Sequence, residues 1–368
     1  MAKKTLKIAD KPTLDEVNEN VKALTNSKNM ILQNIILGNP TDENGIIQAD
    51  SSYSSLPYAL HNGCEAICYN NKIHIFGGAG GKENHYSLSG AWSKASTLPL
   101  YGFTHGSIVV YGGCIHIVGS EIGGSYRMHY KWDGTSWTQV STLPYDFCNG
   151  SAVVCNNEIH ILGGSNSSYR TNHYKWDGSS WTEVSTLPYN FYNGSAVVYN
   201  NAIHILGGNG KNTAHYKWDG TSWTSASSLP YIFYNGSAVV CNNEIHILGS
   251  GDTVRGLARK HYKWNGSSWT EVSIFPYIFY NGSAVVYNNK IHILGGTNGQ
   301  QNHYTIIAEC YRAYENLYLF KNQKIYSGHK MIPIKNCTSY DDYLLVTEDG
   351  PVSFKIESAT DNAVLTIV

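Results

Sequence analysis

The sequence predicts an all-β protein made of six tandem units of four strands each, and three observations carry that reading. The triplet Ile-His-Ile starts at Ile73, Ile115, Ile159, Ile203, Ile245 and Ile291, with gaps of 42, 44, 44, 42 and 46 residues. A His-Tyr pair follows each triplet, at His85, His129, His173, His215, His261 and His303. A tryptophan then follows at Trp92, Trp137, Trp181, Trp223 and Trp269, six residues ahead of Leu-Pro or Phe-Pro. Self-similarity at a fixed period of this length is the mark of a repeat architecture. The sixth copy lacks the last segment.

Each unit reads as four short strands, and the copy at 195–230 shows why. Ser-Ala-Val-Val-Tyr (195–199) is rich in β-formers and ends in Asn200-Asn201, a pair that tolerates the left-handed conformations of a tight hairpin turn. Ile203-His204-Ile205-Leu206 is the second strand, stopped by Gly207-Gly208. His215-Tyr216-Lys217-Trp218 is the third, and Asp219-Gly220 after it is again a hairpin signal. Ser222-Trp223-Thr224 opens the fourth, which runs to Leu229-Pro230.

The order Gly-Gly, Tyr, Trp at this spacing resembles the kelch motif over roughly residues 56–304. The resemblance implies a six-bladed kelch-type β-propeller, with blades radial about a central channel. An isolated blade cannot bury both faces, so the blades must stack. The propeller is expected over 46–304. Its sixth blade needs a fourth strand, from Gly45-Ile46-Ile47-Gln48-Ala49 or from the chain after Tyr304. The N-terminal choice is favoured, because that segment precedes Leu56-Pro57 as strand four precedes Leu-Pro elsewhere.

Residues 1–45 form a separate N-terminal segment. Apolar residues at Leu14, Val17, Val21, Leu24, Ile31 and Ile35 trace about three heptads of a helix over 10–37. That helix is either docked on a neighbouring domain or a short oligomerising stalk, with a homotrimer as the expected state. Residues 305–368 read as a small C-terminal β-module. It opens with a hairpin of 317–320 and 324–326 about Asn322-Gln323, followed by strands at 343–346, 352–356 and 363–367. The opening Leu6-Lys7-Ile8-Ala9-Asp10-Lys11-Pro12-Thr13-Leu14-Asp15-Glu16-Val17 resembles the start of tail proteins from phages and prophages of Gram-positive bacteria. The closing part, with Leu317-Tyr318-Leu319-Phe320 and Glu348-Asp349-Gly350, is similar to them in character. This second resemblance brings no catalytic residues.

Composition narrows the function. Lys plus Arg is 26 against 27 for Asp plus Glu, a net charge of −1, so neither nucleic acid nor an anionic membrane is an expected partner. No apolar run approaches membrane-spanning length, and no secretory h-region follows Met1. Cys155 and Cys241 stand where other repeats carry Tyr69, Tyr111, Tyr199 and Tyr287, so they read as packed side chains and not as a disulfide framework. Synthesis in a reducing cytosol is expected, with a virion location if the tail reading holds and a cytoplasmic one otherwise.

No motif nominates an enzyme. Twelve of the 15 histidines fall in the two repeated positions, and a residue present in every blade obeys the fold. His61, Cys64 and Cys68 lack a fourth ligand for zinc. Gly77-Gly78-Ala79-Gly80-Gly81-Lys82 lacks the first Gly and the Ser or Thr of a phosphate loop. Neither a metal nor a cofactor is therefore expected.

Topology is more informative. The 1–2 and 3–4 turns share one rim and are short. The 2–3 loops and the 4–1 connections share the other. Three 4–1 connections repeat one aromatic pattern, Tyr189-Asn190-Phe191-Tyr192-Asn193, Tyr231-Ile232-Phe233-Tyr234-Asn235 and Tyr277-Ile278-Phe279-Tyr280-Asn281, and a fourth reads Tyr145-Asp146-Phe147-Cys148-Asn149. A rigid ring bearing variable, aromatic, amide-rich loops is a recognition surface. The candidate ligand-binding residues are Tyr192, Tyr234, Tyr280, Tyr145, Tyr189, Tyr231, Tyr277, Asn193, Asn235 and Asn281. Phe147 and its equivalents read as seals between blades; for Tyr192, Tyr234 and Tyr280 sealing and binding both stay open. The expected function is non-enzymatic recognition of a host-surface glycan or protein by a tail component. Residues 1–45 would join it to other virion proteins. Its rivals are an intracellular scaffold for a protein partner and a sugar-active enzyme.

Overall fold

The computed structural model describes residues 55–307, apart from 79–82, 100–101, 122–125, 167, 254–255, 276, 289 and 297–300, together with five strands between 318 and 367. The chain divides into two compact units, one of which is Ala49–Ala308. That unit is a six-bladed β-propeller with no α-helix among its described residues.

Blade four shows how the repeat becomes a sheet. Its strands Ser195–Tyr199, Ala202–Leu206, His215–Trp218 and Trp223–Ser225 pair antiparallel in chain order. Asn200 and Asn201 both take positive φ, 49° and 58°, so the first hairpin turns with the twist of its strands. The third and fourth strands turn on Asp219, whose Oδ1 accepts the amide N–H of Thr221 at 2.8 Å and of Ser222 at 2.9 Å.

The second strand is buried on both faces, which is why it reads as an apolar run rather than an alternation. Ile203 and Ile205 pack with Val153, Leu162 and Phe191 on the blade-three side. Leu206 packs with Phe233, Ile245 and Ile247 on the blade-five side. Fully burying one such side chain contributes about 1.5–3 kcal/mol, and here the neighbouring blades complete that burial. The Gly-Gly stop has an equally specific cause. A Cβ on Gly207 would fall 2.1 Å from the carbonyl oxygen of Phe233, and φ there is +61°. The next amide, Gly208 N–H, donates to that same carbonyl at 2.8 Å.

Five blades show four strands, and the sixth shows Ser283–Tyr287, Lys290–Leu294 and His303–Ile307 among the described residues. The ring closes through residues 56–62. Leu56 N–H donates to Gln301 O at 3.0 Å, as Leu187 donates to Thr171 O at 2.8 Å and Leu229 to Thr213 O at 2.9 Å. Leu56 thus holds for blade six the place that Leu187 and Leu229 hold for blades three and four. Leu294 and Val285 share a core cluster with Leu60, Ile73 and Ile75 of blade one. The expected closing strand Gly45–Ala49, the helix over 10–37 and its heptads lie outside the described residues.

The C-terminal strands form a five-stranded antiparallel sheet ordered Lys324–Ser327, Tyr318–Lys321, Tyr343–Thr347, Gly350–Ile356 and Leu365–Ile367. Tyr318 pairs with Ser327 and Lys321 with Lys324, which is the hairpin the sequence predicts. Among the described residues no helix is long and apolar enough to cross a membrane.

Candidate functional site

The repeated histidines belong to the interior. In each blade the first sits one hydrogen bond from the second: His204 Nδ1 is 2.8 Å from His215 Nε2, and His160 Nδ1 is 2.8 Å from His173 Nε2. In blades one, two, three and five the second histidine meets a serine hydroxyl of strand four, as His173 Nδ1 meets Ser185 Oγ at 3.0 Å. That hydroxyl also takes the indole N–H of the next blade, Trp223 Nε1 at 3.1 Å. Burial lowers His74, His116, His204 and His246 to about 4, and His85, His129, His173 and His215 to about 3. These imidazoles are neutral parts of a polar seam between blades, as their recurrence implies. Cys64 packs in the core cluster at the ring closure, and the six described cysteines are all free thiols.

The chemistry left to a ligand lies where the 4–1 connections approach the axis. Each connection ends at a residue of positive φ, Asn62, His105, Asn149, Asn193, Asn235 and Asn281, between 52° and 57°, with Gly63 after Asn62 also at 74°. Their amides form a closed circuit. Asn149 N–H donates to His105 O, Asn193 to Asn149 O and Asn235 to Asn193 O, each at 2.7 Å. Asn281 donates to Asn235 O at 2.8 Å, Asn62 to Asn281 O at 3.0 Å, and His105 to Gly63 O at 3.0 Å. The circuit surrounds an axial cavity of about 90 Å³, lined by Cys64, Glu65, His105, Asn149, Asn193, Asn235 and Asn281 together with glycines.

Beside it on the same rim, and sharing Asn149, opens a larger cleft of about 540 Å³. Its wall is Glu121 and Tyr126 of the blade-two loop, Ser165, Ser168 and Tyr169 of the blade-three loop, and Cys148 and Asn190 of the connections. Glu121 is fixed by His105, whose Nδ1 lies 2.6 Å from the carboxylate. Tyr169 is 59% exposed and stacks on Tyr192 at 4.3 Å with planes 10° apart. The cleft opens at the one connection of the four that carries Cys148 in place of tyrosine. At the blade-five loop Tyr234 fills the equivalent space, where a Cβ on Gly251 would fall 2.3 Å from its ring.

The structure sorts the sequence-nominated residues into two groups. Tyr145, Tyr189 and Tyr231 are buried and Tyr277 largely so. Their hydroxyls donate to the carbonyls of Gly163, Gly207, Gly249 and Gly295 at 2.9, 2.7, 2.9 and 3.1 Å. They hold neighbouring blades together, with each hydroxyl's proton engaged by a glycine carbonyl. Phe147, Phe191, Phe233 and Phe279 are fully buried seals. Asn193, Asn235 and Asn281 stand on the axial circuit, and Tyr192, Tyr234 and Tyr280 are half-exposed on the rim. Sequence reasoning missed Glu65, Glu121, His105 and Tyr169. Two of these signals were there to read: Glu65 replaces the serine that opens strand one elsewhere, and His105 replaces the asparagine. Glu121 and Tyr169 sit in loops that share no pattern.

No family model matches the chain, and no curated protein matches it. Among solved structures, the one titled "Structure of YjhT" superposes with a TM-score of 0.59 over 76% of this chain and all of that one, at 14% identity. At that identity the likeness is one of fold: this chain shares its β-propeller architecture.

Proposed function

We propose that this chain is a non-enzymatic binding protein that recognises a host-surface glycan through the cleft between blades two and three. The observation that carries the reading is the exposed Tyr169 ring, stacked on Tyr192, at the edge of a cleft walled by a carboxylate, amides and hydroxyls. An aromatic face suits the apolar face of a sugar ring, and planar amides and carboxylates suit its hydroxyls. The volume lies within the range of small-ligand sites. Stacking contributes on the order of 1 kcal/mol per ring beyond the area buried, by analogy with aromatic pairs. Weak affinity per chain would then gain from avidity in an oligomer. The resemblance of 6–17 to phage tail proteins supports a place on a virion, with residues 1–45 attaching to other tail proteins as a homotrimer.

The test is a glycan-array and host-cell binding assay on three variants. Cys148→Tyr restores the residue of the other connections, so it should fold, fill the cleft and abolish binding. Tyr169→Ala with Tyr192→Ala should weaken binding at least about tenfold. Replacing Asp177, Asp219 and Asn265 by Ala on the opposite rim should leave it unchanged. Binding lost only in the opposite-rim variant would assign the site to the wrong face.

A further inference from the structure

The axial cavity supports an inference that does not depend on what the cleft takes. Five blades begin their innermost strand with serine, at Ser107, Ser151, Ser195, Ser237 and Ser283. Ser107 Oγ accepts the amide N–H of Ala152 at 2.9 Å, Ser151 that of Ala196 at 3.0 Å, Ser237 that of Ala284 at 3.0 Å, and Ser283 that of Ala66 at 2.9 Å. Ser195 Oγ donates to Gly236 O at 3.4 Å. These hydroxyls stitch blade to blade. Blade one has Glu65 instead, and that residue lines the cavity.

The carboxyl has no counter-charge there. Among the described residues the cavity wall holds no lysine or arginine. Cys64 beside it is a neutral thiol pushed well up by burial, and His105 is held below its usual range by burial while it faces Glu121. Burial raises Glu65 to about 8, and no hydrogen bond from the described residues opposes that shift. An ionised carboxylate out of bulk water is costly until a positive charge joins it. The rest of the wall supplies amides and backbone, the oxygen donors that hard cations and ammonium groups accept. About 90 Å³ holds such an ion with a few waters.

We propose that the axial cavity is a cation site, in which Glu65 and the asparagine ring hold one compact positive charge, either a metal ion or a primary ammonium. Burial favours the protonated carboxyl, so binding releases a proton to solvent while the carboxylate takes the cation.

Calorimetry on the full chain, with calcium chloride, potassium chloride and methylammonium chloride as separate probes at pH 7 and 9, tests this. At least one salt should bind, with proton release at pH 7 seen as a heat that depends on the buffer. Binding should be tighter at pH 9. Glu65→Ser completes the serine ring and should fold while losing about tenfold or more in affinity. Glu65→Gln, nearly isosteric, serves in its place if the serine variant does not fold. Tyr169→Ala should leave cation binding unchanged, so failure of the cleft and failure of this site are read separately. Binding by the metals or by methylammonium alone identifies the source. No binding by any probe, or equal binding by wild type and the Glu65 variants, would overturn the site.

Discussion

At the scale of single residues the protein is governed by polar groups that burial keeps neutral. A His-His pair at 2.8 Å has room for one proton between the facing nitrogens, and a charge on either ring is opposed by desolvation and by its partner. The folded values near 4 and 3 lie below the 6.5 of an exposed imidazole. The unfolded chain therefore takes up protons first as pH falls. Stability is complete above about pH 6.5 and is lost on the way down to about 4 and then 3. Each such histidine contributes a slope of up to about 1.4 kcal/mol per pH unit, and several titrate together. Urea unfolding followed from pH 7 to pH 4 should show a steep fall in unfolding free energy. A flat profile would mean that the pairs are charged or solvated in the folded state.

At the scale of elements the unit of stability is the interface between blades rather than the blade. Strand two is covered from both sides, the Gly-Gly stop receives the neighbour's phenylalanine carbonyl, and Tyr189 OH donates across to Gly207 O at 2.7 Å. Gly207→Ala should be among the most damaging conservative changes. It meets a carbonyl at 2.1 Å and imposes a side chain at φ +61°. Gly220→Ala is the control: it also has positive φ, 102°, but a Cβ there meets nothing within 4 Å. Thermal midpoints should fall much further for Gly207→Ala. Equal losses in the two variants would show that backbone strain, and not the approach of the neighbouring blade, is what requires the glycine.

At the scale of the whole molecule the described residues hold the ring shut through hydrogen bonds and apolar packing. Leu56 and Gln301 exchange two hydrogen bonds, Leu56 N–H to Gln301 O and Gln301 Nε2 to Leu56 O, both at 3.0 Å, and Leu60 enters the cluster that contains Leu294. Removing residues 1–60 takes away all of these, whereas removing 1–40 leaves them. The shorter deletion should retain one cooperative thermal transition. The longer one should split or broaden it, because a broken ring leaves two blades with an uncovered face. Scanning calorimetry that finds the same single transition in both would refute closure through this segment.

Much of this protein is legible in one dimension because repetition multiplies weak signals. Six copies of Ile-His-Ile determined the number of blades, and the Asn-Asn and Asp-Gly pairs determined the turns, since those dipeptides suit backbone that few others adopt. The same regularity marked the histidines as interior. What the sequence could not decide is which rim residues face a neighbour and which face water. Tyr189 and Tyr192 stand three residues apart in one connection, yet the first is buried on Gly207 and the second lies half-exposed under Tyr169. That difference arises only when the next blade arrives and covers one of them. Cys148 looks like a minor lapse in a pattern until the fold puts it at the mouth of a cleft. Glu65 looks like one more strand residue until six strands converge on an axis and leave it lining a small cavity. Local preference sets the blades, and the sites belong to places where several blades meet, at distances no short stretch of chain can encode.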